Sequence, residues 1–458
     1  MGIVFWVAAV SLGATGKIPR CPELPAFPSF ASRDRLLVVV PHEDDETLGA
    51  GGCIQKALAA GAAVRVVYLT YGDHNELAFL LYRKRPWLTP AVNEVMGEVR
   101  RREATQAMSF LGVPTSQLVF LGYPDGGTLD IWKQHWNEAP ALTSRSTRTK
   151  SVPYPDAASY GKPHKGEEIA ADLERQLLDF RPTHILVTQP VDAHPDHRAA
   201  YLFLQVALRH CARRIPSPEI FTFPVHIGMW PGLYGFHPEE WLPVPVQLAE
   251  DGSIWRCLEL KTDQVRRKKE AIGFYKSQLV DSKRWLLAFA RRNELFSTPR
   301  DVPLSREWSP IHGVVARPET QDYEKKSPMG HVTGVTYRDS GEALMIRAIL
   351  RQPLERKLGV AAYAFGYKTG TGFAVMPKIS IRTVVGRLRV THQGVTLSAT
   401  QVRAEMTGRE ITMTIPWDLL GDPEAVFVQS QGLVGGLPVS QTSWRVLTRE
   451  PTSASAKP

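Results

Sequence analysis

The sequence has few cysteines, no long hydrophobic run and no dense basic run, and each absence argues against a class of protein. Only four of the 458 residues are cysteine, and none forms a Cys-x-x-Cys pair, which argues against a thiolate zinc site. Their wide spacing neither supports nor excludes a disulfide. The net charge is +9, but no Lys/Arg run interleaved with aromatic residues accompanies it. We therefore expect a solvated basic surface and no nucleic-acid partner.

The N-terminus allows two interpretations. Residues 3–12 are apolar and are followed by small residues, as in the hydrophobic region and cleavage zone of an export signal, although no Lys or Arg precedes them. The run is too short to span a bilayer. We expect a weak signal peptide within residues 1–33, and therefore an extracytoplasmic or secreted protein. A soluble N-terminal arm on a cytoplasmic protein is the alternative.

Between about Arg35 and Pro224, short β-branched runs alternate with helical patterns. The runs that predict strands are 36–40, 64–70, 118–121, 184–188 and 220–223. The patterns that predict helices are 48–60, 95–111, 169–180 and 198–212. This alternation indicates a mostly parallel sheet with helices on both faces. A polar stretch at 131–166 predicts a long surface loop, and residues 261–278 and 285–292 predict two later helices.

After about Asp301 the pattern changes to alternating apolar runs separated by Gly, Asp and Pro, which indicates an antiparallel β-sandwich. We therefore predict a Rossmann-like α/β domain at 34–300, with a loop insertion at 131–166, followed by a smaller all-β sandwich domain at 301–450. Residues 451–458 are expected to be a disordered tail.

Titratable residues follow four of the predicted strands, at the edge of the sheet where ligands bind in open α/β folds. The runs after the first and fourth strands are the richest, and they contain His42, Asp44, Asp45, His194, Asp196 and His197. Two imidazoles and a carboxylate suit Zn²⁺ with an open position for water, and a second carboxylate can accept the proton of that water. Either run alone is better explained by a helix-capping Asp beside a hydrogen-bonded His. The two runs together favour a metal site.

The same residues resemble a known family. Residues 41–52 (PHEDDETLGAGG) and 193–197 (AHPDH) are similar to the two signatures of the PIG-L/LmbE-like zinc-dependent N-deacetylases. The resemblance covers about residues 34–300 and includes 69–73, 100–104, 120–126 and 269–278. It implies a hydrolase that removes an N-acetyl group from an N-acetylglucosamine-type sugar or glycoconjugate.

The resemblance also implies roles for individual residues. The implied zinc ligands are His42, Asp45 and His197. Asp44 would be the general base, and His194 would act as acid or oxyanion stabiliser with Asp196 holding its imidazole in place.

Three further residues are implied to contact sugar hydroxyls, namely Arg100, Asp125 and Asp73. For Arg100 and Asp125 an ordinary salt bridge is an equal alternative, and for Asp73 it is the better interpretation. One departure from the family is Glu43, which stands where a Pro is usual; we expect its side chain to point away from the metal.

The second domain distantly resembles carbohydrate-binding sandwich modules. Its aromatic residues Tyr363, Phe365, Tyr367 and Phe373 are candidates for glycan contact, although alternating aromatics of this kind are more often core residues. The alternative function for the whole protein is a non-catalytic glycan-binding protein that retains the metal site. A nucleotide-binding role for the glycines at 49–52 is disfavoured, because the acids before them would repel a phosphate.

Overall fold

The structure, a computed structural model, describes residues 21–84, 87–228, 230–249, 253–316, 331–353, 358–384, 387–398 and 401–449. The expected signal-like segment at 3–12 and the expected tail at 451–458 lie outside these residues. Within the described ranges, no helix combines the length and the apolar character that crossing a membrane requires.

The first domain is built on a seven-stranded sheet. Its strands are β1 (Arg35–Val40), β2 (Ala63–Thr70), β3 (Leu118–Tyr123), β4 (His184–Thr188), β5 (Glu219–Phe223), β6 (Ile254–Glu259) and β7 (Asn293–Thr298). Their order is β3-β2-β1-β4-β5-β7-β6; β1 to β5 are parallel, and β7 is antiparallel to both of its neighbours, β5 and β6. The central strands are almost wholly buried because helices cover both faces. This confirms the predicted fold class.

Eight α-helices accompany this sheet in the described part of the chain. They are α1 (Asp45–Ala59), α2 (Glu76–Arg83), α3 (Pro90–Leu111), α4 (Thr128–Gln134), α5 (Gly166–Phe180), α6 (Pro195–Cys211), α7 (Thr262–Ile272) and α8 (Lys276–Leu287). Helix α3 shows how local sequence sets the bounds: Thr89 caps the first turn, Pro90 begins it, and Gly112 ends it with φ +103°. Short 3₁₀ turns lie at Cys21–Glu23, Thr115–Gln117, Val246–Leu248, Phe373–Val375 and Asp418–Leu420.

The C-terminal part is all β and forms two packed sheets, as predicted. One sheet contains β12 (Leu358–Tyr367), β13 (Lys378–Val384), β14 (Arg387–His392), β15 (Val395–Thr396), β18 (Ala425–Val434), β19 (Leu437–Thr442) and β20 (Arg445–Thr448). The other contains β10 (Val332–Asp339), β11 (Ala343–Leu350), β16 (Arg403–Thr407) and β17 (Glu410–Pro416). Strand β9 (His312–Ala316) pairs with both β10 and β19, and the short β8 (Val302–Pro303) pairs with β20.

Strands β12 and β18 are buried on both faces of their sheet. Residues such as Val360 and Ala362 face the sandwich core, whereas Phe365, one position out of phase, joins the core of the first domain. Trp132 of α4 contacts four aromatic rings of the sandwich, with centroids 5.1 to 6.0 Å apart. The rings it contacts are those of Phe365, Phe373, Phe427 and Trp444. The two domains therefore share an aromatic interface.

Three predictions of local structure were wrong. The predicted surface loop at 131–166 begins inside α4 and buries Trp136 and Tyr154, so it is packed against the domain rather than exposed. The single helix predicted at 261–278 is two helices, because the chain turns at Gly273 and restarts at Lys276. Residues 285–292 leave helix α8 after Leu287 and lead into β7.

A disulfide joins Cys21 to Cys257, whose Cα atoms are 5.3 Å apart. It fixes the described N-terminal segment to β6, and Phe27 N–H donates to Cys257 O beside it. The sequence had left this pairing open.

Candidate metal centre

A cavity opens at the carboxyl ends of the parallel strands, as the fold class requires. Its described lining is largely polar and comes from the loops after the strands and from helix α8: His42, Asp44, His74, Asn75, Arg100, Asp125, His194, His226, Gln278, Ser282, Trp285 and Leu286. The two motifs that suggested a metal therefore meet in one place, although about 150 residues separate them.

The loop after β1 brings His42 and Asp45 together. The backbone N–H of His42 donates to Asp45 Oδ2 at 3.1 Å, and Nδ1 of the His42 imidazole lies 3.4 Å from that oxygen. The other ring nitrogen, Nε2, lies 3.1 Å from Asp125 Oδ1 and 3.3 Å from Asp196 Oδ2. His42 thus points one nitrogen toward Asp45 and the other toward two carboxylates.

His197, in the first turn of α6, has the same arrangement. Its Nε2 lies 3.2 Å from Asp45 Oδ2, and its Nδ1 lies 3.2 Å from Asp192 Oδ2. The ring is fully buried, and within the described residues neither nitrogen makes a hydrogen bond of acceptable geometry. A buried imidazole aimed at a carboxylate without bonding to it has room for a third partner between them.

These contacts fit a cation bound by His42, Asp45 and His197. Metal-ligating histidines almost always give their second nitrogen to a carboxylate or carbonyl, and both histidines do so here. Although burial opposes the charge, His197 and His42 hold the pKa of Asp45 well below its usual range. Burial likewise opposes charge on His197, but Asp192 and Asp45 raise its pKa to about 9. A cation at this position would replace those protons.

Asp44 is placed beside this group but does not join it. It precedes α1 with φ +145°, and within the described residues its side chain caps no N–H of that helix. The carboxylate instead lies 3.6 Å from Arg100 Nη2. Burial, opposed by Arg100 and reinforced by Asp45 and Glu46, raises the pKa of Asp44 to about 8. The capping explanation is therefore wrong for Asp44, and its carboxylate faces the cavity.

His194 also faces the cavity, but Asp196 does not hold it as expected. Asp196 N–H donates to His194 Nδ1 at 3.3 Å, so the backbone orients the ring and leaves Nε2 as the protonated nitrogen. The Asp196 carboxylate accepts instead from Gly126 N–H at 2.6 Å and from Thr128 Oγ1 at 2.5 Å, besides its contact with His42. The expected carboxylate–imidazole contact is thus replaced by a backbone one. Burial and the nearby imidazoles hold the pKa of His194 well below its usual range.

The structure separates the three residues expected to contact sugar. Arg100 lines the cavity, while its guanidinium donates to Gly72 O at 3.0 Å and to Glu43 O at 2.9 Å. Asp125 also lines it, but both its oxygens have protein partners, His42 Nε2 and the N–H of His74.

Asp73 lies outside the described lining of the cavity, so its contact with sugar stays a prediction. Its oxygens accept from Ser146 Oγ at 2.8 Å and Tyr154 OH at 2.5 Å. These two donors come from the segment after α4 and explain why the carboxylate is buried. Glu43 likewise lies outside the described lining, with its carboxylate 3.6 Å from Arg100 Nε.

Sequence reasoning missed several residues of the cavity. One wall is the face of α8 that carries Gln278, Ser282 and Trp285, whose spacing by about one turn was obscured by the misplaced helix boundary. Another is His226, two residues beyond Pro224 after β5. The rule that polar residues after parallel strands gather at one edge would have found it.

The glycines at 49 and 52 have a packing role. A Cβ on Gly49 would lie 2.0 Å from a ring carbon of Phe223, and one on Gly52 would lie 2.4 Å from Leu260 Cδ2. Helix α1 can approach the sheet only without those side chains. This explains the Gly-rich run without a phosphate.

Comparison with known proteins places this geometry in a family. Residues 37–208 match the PIG-L family, described as GlcNAc-PI de-N-acetylase. The 1D-myo-inositol 2-acetamido-2-deoxy-alpha-D-glucopyranoside deacetylase of Mycobacterium sp. (strain KMS) is 30% identical over 254 residues, 54% of this chain and 74% of the relative. The corresponding deacetylase of Rhodococcus opacus (strain B4) is 26% identical, over 54% of this chain and 83% of the relative.

Solved structures of similar chains include N,N'-diacetylchitobiose deacetylase from Pyrococcus horikoshii, with 19% identity, a TM-score of 0.35, and coverage of 57% of this chain and 82% of that one. A 4-carboxy-2-hydroxymuconate hydratase, GalB, from a Pseudomonas is also similar, with 18% identity, a TM-score of 0.35, and coverage of 56% and 82%. On its paired motifs, its sheet and its sequence relatives, the chain belongs to the PIG-L family.

Proposed function

We propose that this protein is a zinc-dependent hydrolase that removes the N-acetyl group from an N-acetylglucosamine-type sugar or glycoconjugate. The observation that carries the proposal is the arrangement of His42 and His197, each with one nitrogen toward Asp45 and the other toward a carboxylate. The sequence relatives named above are deacetylases of an acetamido sugar, which supports the same reaction here.

Zinc is the proposed metal because two imidazole nitrogens and one carboxylate oxygen are the donor set of hydrolytic zinc sites. The ligands would be His42, Asp45 and His197. When bound, zinc supplies a Lewis acid that polarises the acyl oxygen and lowers the pKa of water.

The chain's own residues supply the proton transfers. Asp44 accepts a proton from the attacking water as the new C–O bond forms, and the proton then passes to the nitrogen as the C–N bond breaks. Burial raises the pKa of Asp44 above its usual range, which makes the carboxylate a better proton acceptor than an exposed one. Nε2–H of His194 donates a hydrogen bond to the developing oxyanion. Arg100 keeps Asp44 in place.

The polar lining of the cavity suits a sugar ligand. Asn75, Gln278 and Ser282 line it and offer amide and hydroxyl groups to a polyhydroxylated ligand. Asn75 Nδ2 donates to Gln278 Oε1 at 2.7 Å, which ties the start of α2 to α8 and holds both amides at the cavity.

The experiment that tests the proposal is acetate release from a set of N-acetylglucosaminides, glycolipids and oligosaccharides, with and without a chelator. Release that stops with chelator and returns with zinc supports the hydrolase. Glycan binding without acetate release from any member of the set would favour the alternative, a non-catalytic glycan-binding protein that retains the metal site.

We also propose that the protein is exported. The Cys21–Cys257 disulfide supports an oxidising compartment, where such bonds form and persist. Mass spectrometry of the mature N-terminus, with a thiol count before and after reduction, tests this. An intact Met1 and four free thiols would contradict it.

A further inference from the structure

His226 lies in the cavity on a segment that the rest of the site holds in place. The N–H groups of Val225 and His226 both donate to Asp192 Oδ2, at 3.3 and 2.9 Å, and Ala193 N–H donates to His226 O at 2.9 Å. Asp192 also contacts His197 Nδ1. The loop after β5 is therefore fixed to the loop that carries His194 and His197.

The ring of His226 is oriented by packing. It stacks on the indole of Trp285, with centroids 4.9 Å apart and planes 16° apart. The centroid of the His226 ring also lies 4.9 Å from that of His197 and 5.7 Å from that of His194. One ligand atom each of Asp45, His197 and His226 lie within 4.8 Å of one another. The ring is thus held next to the position where the metal and the reacting group would meet.

The ring nitrogens of His226 are available to a ligand in the cavity. Among the residues that the structure describes, neither ring nitrogen has a hydrogen-bond partner, and the residue is part of the cavity lining. By contrast, both nitrogens of His42 and of His197 lie against carboxylates. An imidazole carries at least one N–H donor in either protonation state, so His226 can donate to a ligand in the cavity.

We propose that His226 is a further catalytic residue, which donates a hydrogen bond from its ring to the acyl oxygen of the substrate, alongside His194. The inference rests on the proposed function in that the reacting group is an N-acyl group. Negative charge develops on that oxygen during attack, and a donor fixed beforehand lowers the barrier without reorganising. Trp285 acts as a positioning residue that fixes the plane of the ring.

The test compares His226→Ala and His226→Gln in the full zinc-loaded chain. We expect both variants to keep one zinc per chain and a KM within about threefold of wild type. We expect kcat to fall by about 10²- to 10³-fold in His226→Ala, as for loss of one oxyanion donor, and His226→Gln to recover at least tenfold of the loss because its amide can donate. His210→Ala, at the far end of α6, is the matched control and should leave kcat unchanged.

Three results would overturn the inference: a kcat within threefold of wild type, a rise in KM alone, or loss of zinc, which would make His226 a metal ligand. Binding of acetohydroxamate to the zinc-loaded chain, measured by calorimetry, separates this inference from the proposed function because it requires no turnover. We expect at least tenfold weaker binding in His226→Ala, and equal binding would contradict the role. Absence of acetate release by wild type would overturn the proposed function alone.

Discussion

Asp44 holds a conformation that few side chains adopt. Its φ of +145° costs roughly 1 to 3 kcal/mol for a residue other than glycine and persists only where the surroundings enforce it. Here Asp44 N–H donates to Glu46 Oε2 at 3.1 Å, and the side chain lies near Arg100. This backbone conformation directs the Asp44 carboxylate into the cavity and away from the N–H groups at the start of α1.

We expect Asp44→Asn to retain zinc and to lose about 10²- to 10⁴-fold in kcat, because the amide keeps the shape of the side chain but cannot accept the proton. Elemental analysis and turnover measured on the same preparation check this. Asp45→Asn is the matched comparison and should lose metal instead. A near-normal rate in Asp44→Asn would refute its assignment as the base.

A variant of Asp125 tests whether this residue orients the metal ligand His42 or binds the sugar. Since its carboxylate meets His42 Nε2 at 3.1 Å, we expect Asp125→Asn to weaken zinc binding by about 10- to 100-fold. Competition with a chelator measures this. If zinc affinity stays at the wild-type value while KM for the sugar rises, Asp125 contacts substrate as the family resemblance implied.

At this scale the sequence indicated which residue types gather after the strands, but not their partners. The two compact motifs supplied six candidate residues, and the family resemblance singled out His42, Asp45 and His197 among them as the metal ligands. Asp125 contacts the second ring nitrogen of His42, and Asp192 contacts that of His197. These contacts depend on the orientation of each ring, which tertiary packing sets. His226 and Trp285 lie in segments without a motif.

Helix α1 is the element on which the site depends, and its glycines set how closely it packs. We expect Gly49→Ala and Gly52→Ala each to destabilise the protein by about 1 to 3 kcal/mol, because the added methyl would overlap Phe223 or Leu260. Gly51→Ala is the matched control: its nearest contact is 3.4 Å, to Lys268 Cγ. That variant should be tolerated or gain about 0.5 to 1 kcal/mol from higher helix propensity. Urea denaturation measures all three, and equal effects would contradict the packing role.

The segment between α4 and α5 has an acid-sensitive residue. Burial lowers the pKa of His164 to about 4, while its Nδ1–H donates to Leu142 O at 3.0 Å. The unfolded chain therefore binds more protons between pH 6.5 and 4, and stability falls as the pH falls through that window.

We expect this group to remove about 3 kcal/mol of the free energy of unfolding between pH 7 and 4. His164→Asn keeps a donor near the Nδ1 position and should show a shallower decline. Denaturation of both proteins across this range, in chelator to remove the effect of metal release, checks the difference. Parallel curves would show that His164 does not titrate there.

The element scale also shows where sequence patterns fail. Strands β1 and β4 were placed within one residue because continuous β-branched runs leave little choice. The polar composition of the segment at 131–166 predicts a surface loop, but the structure packs it against the domain. Two of its aromatic residues, Trp136 and Tyr154, are nearly fully buried and hold it against the domain.

For the whole molecule, the aromatic interface buries rings of both domains against one another. Phe365, Tyr367 and Phe373 are at most 5% exposed, so they are not available for glycan contact while the domains are packed. Alternation along β12 predicted one buried face; the second buried face depends on the other domain, which the pattern of a single strand cannot show.

We expect wild type to unfold in one calorimetric transition. Phe427→Ala, which removes a ring 5.3 Å from Trp132, should lower stability by about 3 to 5 kcal/mol and separate the transition into two. Val428→Ala, the next residue on β18 but facing the sandwich core, should lower stability without separating the domains. Two transitions in wild type would contradict a shared folding unit.

The central claim is that one metal ion is bound jointly by the loop after β1 and the start of α6. Elemental analysis of purified wild type beside His42→Ala and His197→Ala tests it most directly. The account predicts one zinc per chain in wild type and loss of zinc in both variants. Wild type that neither contains nor takes up a stoichiometric transition metal, or variants that retain it in full, would contradict the account.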